Sequence, residues 1–511
     1  MAISSTKTIF TFIFFFFILT LPHFTASASI DSNGSVLLKI SPIHFVNSAK
    51  EVITNLQHVT AILSRFNLHV EASHPPVSNA ISDCLDLVDL STENLHWSIS
   101  AIQNPNGKDN STGNLSSDLR TWLSAVLVNP DTCIEGLQGT NAMGLVSAGL
   151  DRVKSAVKNL LDGVKPVNDH LTTAIGSDQF PSWIKDNDAN LLQADEVTAD
   201  AVVAADGSGD YQSVMEAIWA APDDSLKRYV IHVKKGVYVE NVVIDNKKRN
   251  IMMIGDGMDD TVISGRLNKV DGTTAFSSAT FAVKGKGFIA RDISFTNTAG
   301  PEKHQAVALK SSSDLSVFYR CGIFGYQDSL YAHNMRQFYR ECKITGTVDF
   351  IFGDATAVFQ KCQIIARQGM QDQKNTITAQ GRQYPCQPTG FSFQFCNISA
   401  DTGVTSPTYL GRPWKEYSRT VFMQSYMSDA IRPEGWLKWR GSFALDTLYY
   451  GEYMNSGPGA EVTNRVKWSG YHVLNDSSDA IKYTVAQFIE GDLWLPATGV
   501  TYDSGLTVNS I

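Results

Sequence analysis

Ser316-Val317-Phe318-Tyr319-Arg320-Cys321-Gly322-Ile323 is followed by a second version of itself, Arg336-Gln337-Phe338-Tyr339-Arg340-Glu341-Cys342-Lys343-Ile344. Val358-Phe359-Gln360-Lys361-Cys362-Gln363-Ile364 and Phe393-Gln394-Phe395-Cys396-Asn397-Ile398 repeat it again. The Cys-x-Ile units lie 21, 20 and 34 residues apart. A short apolar word that returns at such distances marks a solenoid, in which each coil buries its apolar side on the next. An antiparallel sandwich also uses short strands, but it gives no reason for one word at near-equal spacing. The surrounding residues are rich in Val, Ile, Thr, Phe and Tyr and punctuated by Gly, so the coils should be strands. The expected fold of residues 197–511 is an all-β parallel β-helix.

Upstream the texture changes. Ala49–Leu63 and Leu145–Leu161 place apolar residues at spacings of three and four, as amphipathic helices do. The segment Gln103–Ser117, rich in Asn, Gly and Ser, reads as a loop between helices. Residues 29–178 are therefore expected to form an all-α, four-helix-bundle-like region, and the mainly polar residues 179–196 a linker. At the start, Lys7 precedes an apolar run from Ile9 to Leu21, and Ala26-Ser27-Ala28 fits a cleavage site. Residues 1–28 thus read as a secretory signal peptide; the run is short against the ~20 residues that a membrane helix needs. No other stretch is apolar enough to cross a bilayer. Sequons at Asn33, Asn110, Asn114, Asn397 and Asn475 agree with a secreted glycoprotein.

Composition narrows the class. With 511 residues and 43% hydrophobic content the chain can fill more than one core, which excludes a mainly disordered protein. The 42 basic and 51 acidic residues give 42 − 51 = −9, which argues against a nucleic-acid partner. Residues 1–190 carry 11 Lys and Arg against 17 Asp and Glu, and the remainder 31 against 34. With −6 and −3, the expectation is that electrostatic attraction does not hold the two parts together. Seven cysteines leave at least one thiol unpaired or paired between chains. The absence of a C-x-x-C pair argues against zinc. Cys84 and Cys133, isolated in the helical part, would close a separation of 49 residues.

Coil spacing also converts sequence distance into proximity. Asp328 and Asp349 are 21 residues apart, as are Cys321 and Cys342, so they should stand about one strand spacing (~4.8 Å) apart. Two carboxylates that close push one pKa up and leave the other group ionised, giving an acid beside a base or nucleophile. Gln305 precedes Gln327 by 22 residues, so two amides should stack beside the carboxylates. Amide N–H groups there would suit the oxyanion of an acyl transfer.

Five words appear in order: Gly236-Val237-Tyr238-Val239-Glu240, His304-Gln305-Ala306-Val307-Ala308-Leu309, Gly325-Tyr326-Gln327-Asp328-Ser329-Leu330-Tyr331, Val348-Asp349-Phe350-Ile351-Phe352-Gly353 and Leu410-Gly411-Arg412-Pro413-Trp414. Together they closely resemble the plant pectin methylesterases, over roughly Val203 to Leu506. Through Asp83-Cys84-Leu85, Thr121-Trp122-Leu123-Ser124-Ala125 and Thr132-Cys133, residues 29–178 more loosely resemble the inhibitor-like pro-region that precedes many of these enzymes. The resemblance implies a right-handed parallel β-helix that hydrolyses methyl esters of homogalacturonan, without a metal or other cofactor, in the cell wall (apoplast). It implies Asp349 as nucleophile, Asp328 as acid and then base, and Gln305 and Gln327 as oxyanion donors. Arg412 would pair with Asp349, and Trp414 and Trp436 would stack on sugar. Cys362–Cys396 matches a family disulfide.

The sequence departs from the family in three places. The basic processing word ahead of the catalytic part is replaced by Asp188-Ala189-Asn190-Leu191-Leu192, without a positive charge. The inhibitor-like region keeps one cysteine pair, Cys84 and Cys133, where two are usual. Ser294 stands where Cys321 often finds a partner. The expected partners are methyl-esterified homogalacturonan and an inhibitor protein or the chain's own pro-region; the enzyme is expected to be a monomer. Competing readings are a β-helix lyase or polygalacturonase, and a non-catalytic wall-binding or inhibitory protein. A calcium-binding acidic cluster, or three clustered aspartates, would mark the first two; neither is evident around Asp328 and Asp349.

Overall fold

The structure, a computed structural model, describes residues 38–70, 75–104, 112, 114–166 and 198–507. The signal peptide, the linker at 179–196, and the sequons Asn33 and Asn110 lie outside the described residues. The first part packs helices α1 (Pro42–Val70), α2 (Pro75–Gln103), α3 (Leu115–Gly136) and α4 (Asn141–Asp162) into a bundle. Ala49, Val52, Ile53, Leu56, Val59 and Leu63 are buried along α1, and Val146, Leu150, Val153 and Val157 along α4, the faces drawn by the three-and-four spacing. Asn114 caps α3, its side chain accepting from Ser117 N. Cys84 and Cys133 form a disulfide between α2 and α3.

From Ala201 onward the chain winds into three sheets of 11, 7 and 8 strands whose strand pairings are all parallel. Such a stack is a parallel β-helix. The repeated word is its unit. Ile323, Ile344, Ile364 and Ile398 are register partners in one sheet. Three residues before each cysteine, Phe318, Tyr339, Phe359 and Phe393 stack in the interior, with successive centroids 4.9, 4.7 and 4.5 Å apart. Immediately before each cysteine the backbone turns left-handed, at Arg320, Glu341, Lys361 and Phe395, with φ of 50–57°. The corner that the sequence spells with Cys is therefore the same bend made four times.

The Cys362–Cys396 bridge is not formed; Cys321, Cys342, Cys362, Cys386 and Cys396 are free thiols. Gln360 pairs with Gln394 and Gln363 with Asn397 on either side of the two cysteines, so both occupy one corner slot on successive coils. Side chains in such slots run side by side, whereas a disulfide needs Cβ atoms converging to about 3.8 Å. Each sulfur instead donates to a carbonyl one coil back: Cys342 to Phe318 at 3.2 Å, Cys362 to Tyr339 at 3.5 Å, and Cys396 to Phe359 at 3.3 Å.

The bundle does not stand apart from the β-helix. Ala282, Tyr331, Phe352 and Ala379, on the outer face of the 7-stranded sheet, and Val307, just ahead of its strand Leu309–Ser311, are buried in one cluster with the helices. The expectation about charge is corrected here. Arg336 pairs with Asp118 of α3 and with Asp314 of its own part, both at 2.7 Å. Arg249 meets Glu93, and Lys284 meets Asp86, also at 2.7 Å, while Lys415 meets Glu135. Net charges of like sign concealed local pairs of opposite sign, which close-range electrostatics weighs more heavily than distant, screened charge.

Candidate active site

The face covered by the helices carries the predicted carboxylates. Asp328 and Asp349 precede strands Leu330–Ala332 and Ile351–Gly353, and both are left-handed, with φ of 63° and 51°. A left-handed non-glycine residue is strained and persists only where its surroundings fix it. Asp328 N donates to Val348 O at 3.1 Å, which sets one aspartate over the other on adjacent coils. One coil earlier, Ala306 N donates to Gln327 O at 3.2 Å, which sets Gln305 over Gln327. All four side chains line one cavity of about 360 Å³.

The two carboxyl groups have different surroundings. Arg412 forks onto Asp349, Nε to Oδ1 at 2.7 Å and Nη2 to Oδ2 at 2.6 Å. Thr376 adds an O–H donated to Oδ1 at 2.7 Å and accepts from the Asp349 backbone N–H at 2.9 Å. Such a bidentate, charge-assisted arrangement fixes the plane of the carboxyl group. Asp328 is 7% exposed. Burial first, and the neighbouring Asp349 second, push its pKa well above the usual carboxylate range, against a smaller opposing pull from Arg412. The site therefore holds an Arg-oriented carboxyl group beside one that burial inclines to keep its proton.

Aromatic groups floor and flank the cavity. Tyr331 and Phe352, register neighbours of adjacent coils, stack with centroids 4.1 Å apart. Trp414 stands edge-on to Phe352 at 5.9 Å, and the Arg412 guanidinium lies 4.4 Å from the ring centre of Trp439. Trp414 thus falls where the sequence put it. Trp436 does not. It is 1% exposed, stacks on Tyr450 at 4.0 Å and donates its indole N–H to Glu452 at 3.2 Å, so it belongs to the core. Trp439, three residues on, takes the cleft position, and Phe276, Tyr331 and Phe352 join it. Thr376 was also missed: it lies 27 residues beyond Asp349, outside the regular coil spacing.

The remaining wall of the cavity is helical. Ala80 and Asp83 from α2, and Thr132, Cys133, Glu135 and Gly136 from α3, close it over the carboxylates.

A β-helix with paired, differentiated aspartates and neighbouring amides above an aromatic floor defines a carbohydrate-acting ester hydrolase. The chain belongs to the pectinesterase family: residues 200–492 match pectinesterase, and residues 22–165 match the plant invertase/pectin methylesterase inhibitor family. A pectinesterase/pectinesterase inhibitor of Arabidopsis thaliana is 59% identical over 97% of this chain and 98% of its own length. One from Prunus persica is 61% identical over 93% of this chain and 92% of its own. Among solved structures, pectin methylesterase from carrot is 55% identical, with a TM-score of 0.61, over 61% of this chain and 100% of the carrot chain. The Aspergillus niger enzyme is 31% identical, with a TM-score of 0.51, over 58% of this chain and 96% of its own. The activity is that of the family, hydrolysis of pectin methyl esters.

Proposed function

We propose that this hydrolysis runs through an aspartyl acyl-enzyme on homogalacturonan in the cell wall. The observation that carries the reading is the asymmetry of the pair: Asp349 held by the Arg412 fork, and Asp328 buried beside it, without such a fork and with its pKa raised. An Asp349 oxygen attacks the ester carbonyl carbon, and the negative charge that builds on the carbonyl oxygen is met by the amides of Gln305 and Gln327. The bond to the methoxy oxygen breaks as Asp328 gives it a proton, releasing methanol. Asp328, now ionised, takes a proton from water, whose oxygen attacks the acyl carbon and returns the Asp349 carboxylate. The galacturonic acid so formed loses its proton to solvent. Trp414 and Trp439 bind the sugar faces on either side. In the intact chain the helices stand over this cleft, so the full-length protein is the covered, less active form, and loss of residues before about 197 exposes it.

The test follows methanol and chain length together on highly methylated pectin. Methanol without chain shortening is expected, most rapidly from the form that begins near Thr198. Chain shortening would replace the esterase reading with a depolymerase. Methanol release by Asp349→Ala at the wild-type rate would remove the acyl-enzyme.

A further inference from the structure

Three side chains on one face of α3, at intervals of four, reach from the bundle to the β-helix. Trp122 donates its indole N–H to Asp314 Oδ2 at 3.1 Å, Asp118 accepts from Arg336 at 2.7 Å, and Asn114 donates from Nδ2 to Glu490 Oε1 at 2.5 Å. Asn114 also caps the helix, its Oδ1 accepting from Ser117 N at 3.2 Å. One amide therefore does two jobs: its oxygen serves α3 and its nitrogen serves the contact. Asn114-Leu115-Ser116 is at the same time an acceptor sequon for an N-linked glycan. The sequon asparagines Asn397 and Asn475, on the β-helix part, are exposed. Asn114 is half-buried, and the carboxylate that it faces has its other oxygen buried. Ser116, the hydroxyl residue of the sequon, is buried and donates to Lys165 O. A folded α3 hides its own acceptor, so modification has to come before α3 closes on Lys165.

We propose that Asn114 is an N-glycosylation site whose modification and whose docking contact exclude one another, so that the glycan keeps the finished bundle off the β-helix. In the modification the Asn114 amide nitrogen bonds to the anomeric carbon of an oligosaccharide carried on a lipid pyrophosphate. The bond from that carbon to the pyrophosphate oxygen breaks, and the amide gives up one proton. Oδ1 is untouched, so the cap survives and the bundle still folds. Nδ2 keeps one hydrogen but carries a bulky, hydrated ring at the point where α3 meets Glu490. Docking would strip water from that ring beside a carboxylate, and would hold off Asp118 from Arg336 one turn further along. The effect on activity rests on the reading of the intact chain as the covered form. On that reading, glycan-bearing chains have an open cleft with the helices still attached. A chain whose Asp188–Leu192 lacks the basic processing word thereby has a route to activity that needs no cut at that word.

The test uses the full chain secreted from a eukaryotic host, cut once at a protease site placed at 188–192 and run on gel filtration at pH 6. Peptide mapping then reads glycan occupancy in each fraction. Helical part that elutes with the β-helix should have a bare Asn114, and helical part that elutes alone should carry the glycan there. Asn397 and Asn475 should be occupied alike in free and associated β-helix. Leu115→Pro removes the sequon with Asn114 and Ser116 in place, because proline is barred from its middle position but accepted at the first position of a helix. It should move the protein into the associated fraction and lower methanol release by the uncut chain about tenfold, the size of a contact to a charged group. Ser116→Ala should do the same and decides the matter if Leu115→Pro does not fold, while Ser116→Thr, which keeps the sequon, should behave as wild type. Asn114 bare in every secreted chain, or glycosylated to the same extent in both fractions, overturns the proposal. So does an association that neither sequon variant changes. One methanol rate for the uncut chain and the form beginning at Thr198, whatever Asn114 carries, instead sinks the covered-form reading, and the fractionation still decides the contact.

Discussion

Asp328 and Asp349 are the same residue in the same strained turn, and their neighbours alone give them different roles. The raised pKa of Asp328 has a thermodynamic sign. Above the ordinary value of about 3.9 the unfolded state loses a proton that the folded state holds to higher pH. Stability therefore falls as pH rises between the two values. Asp328→Asn should lower kcat by about 10²–10⁴ and raise Tm at pH 7, with the gain vanishing near pH 3, where wild-type Asp328 is protonated in both states. Thermal unfolding at the two pH values checks it. The tryptophans separate in a similar experiment. Trp436→Ala should cost about 3–5 kcal/mol of stability, whereas Trp439→Ala should leave Tm in place and lower kcat/KM by about tenfold. The spacing brought the two aspartates together because coil spacing fixes depth along the stack. It could not tell Trp436 from Trp439, since a loop between strands has no period from which to read which ring faces inward.

At the scale of the coil, the repeated word was legible because its cysteine, isoleucine and aromatic positions obey one geometry. The family resemblance misled on Cys362 and Cys396 because likeness of position in a parallel stack places sulfurs abreast and lets each serve a carbonyl. The ladder gives a chemical readout. In native protein an alkylating reagent should reach Cys386, which is half-buried, well before the buried Cys321, Cys342, Cys362 and Cys396. After unfolding without reductant all five should react, while Cys84 and Cys133 stay linked. Mass mapping that found Cys362 joined to Cys396 would overturn this.

In the whole molecule the bundle covers the site, and sequence could not show it, because a sum of charges carries no positions. In the docked form Asp83 is buried and Glu93, Glu135 and Glu490 are half-buried, and desolvation raises each, Glu490 to about 7. The docked form thus holds protons that the open form releases, and association should tighten as pH falls from 7 to 5. His333, lowered by burial where it meets Thr132, works the other way, and Lys310 and Lys286, held down to about 7 and 8, are largely charged in both forms by pH 6. A chain cut once in the linker should therefore stay associated on gel filtration at pH 5. Asp118→Asn, which leaves half the Arg336 fork without its charge partner, should weaken that association by about 1.5–3 kcal/mol, roughly 10- to 150-fold. The position of the bundle has one further consequence, which concerns time. Chains are made from the N-terminus at about 5–20 residues per second, and the first domain folds first. The four helices are complete on the order of tens of seconds before the last coils leave the ribosome. The lid is older than the mouth it closes, and is already at hand when the cleft is finished.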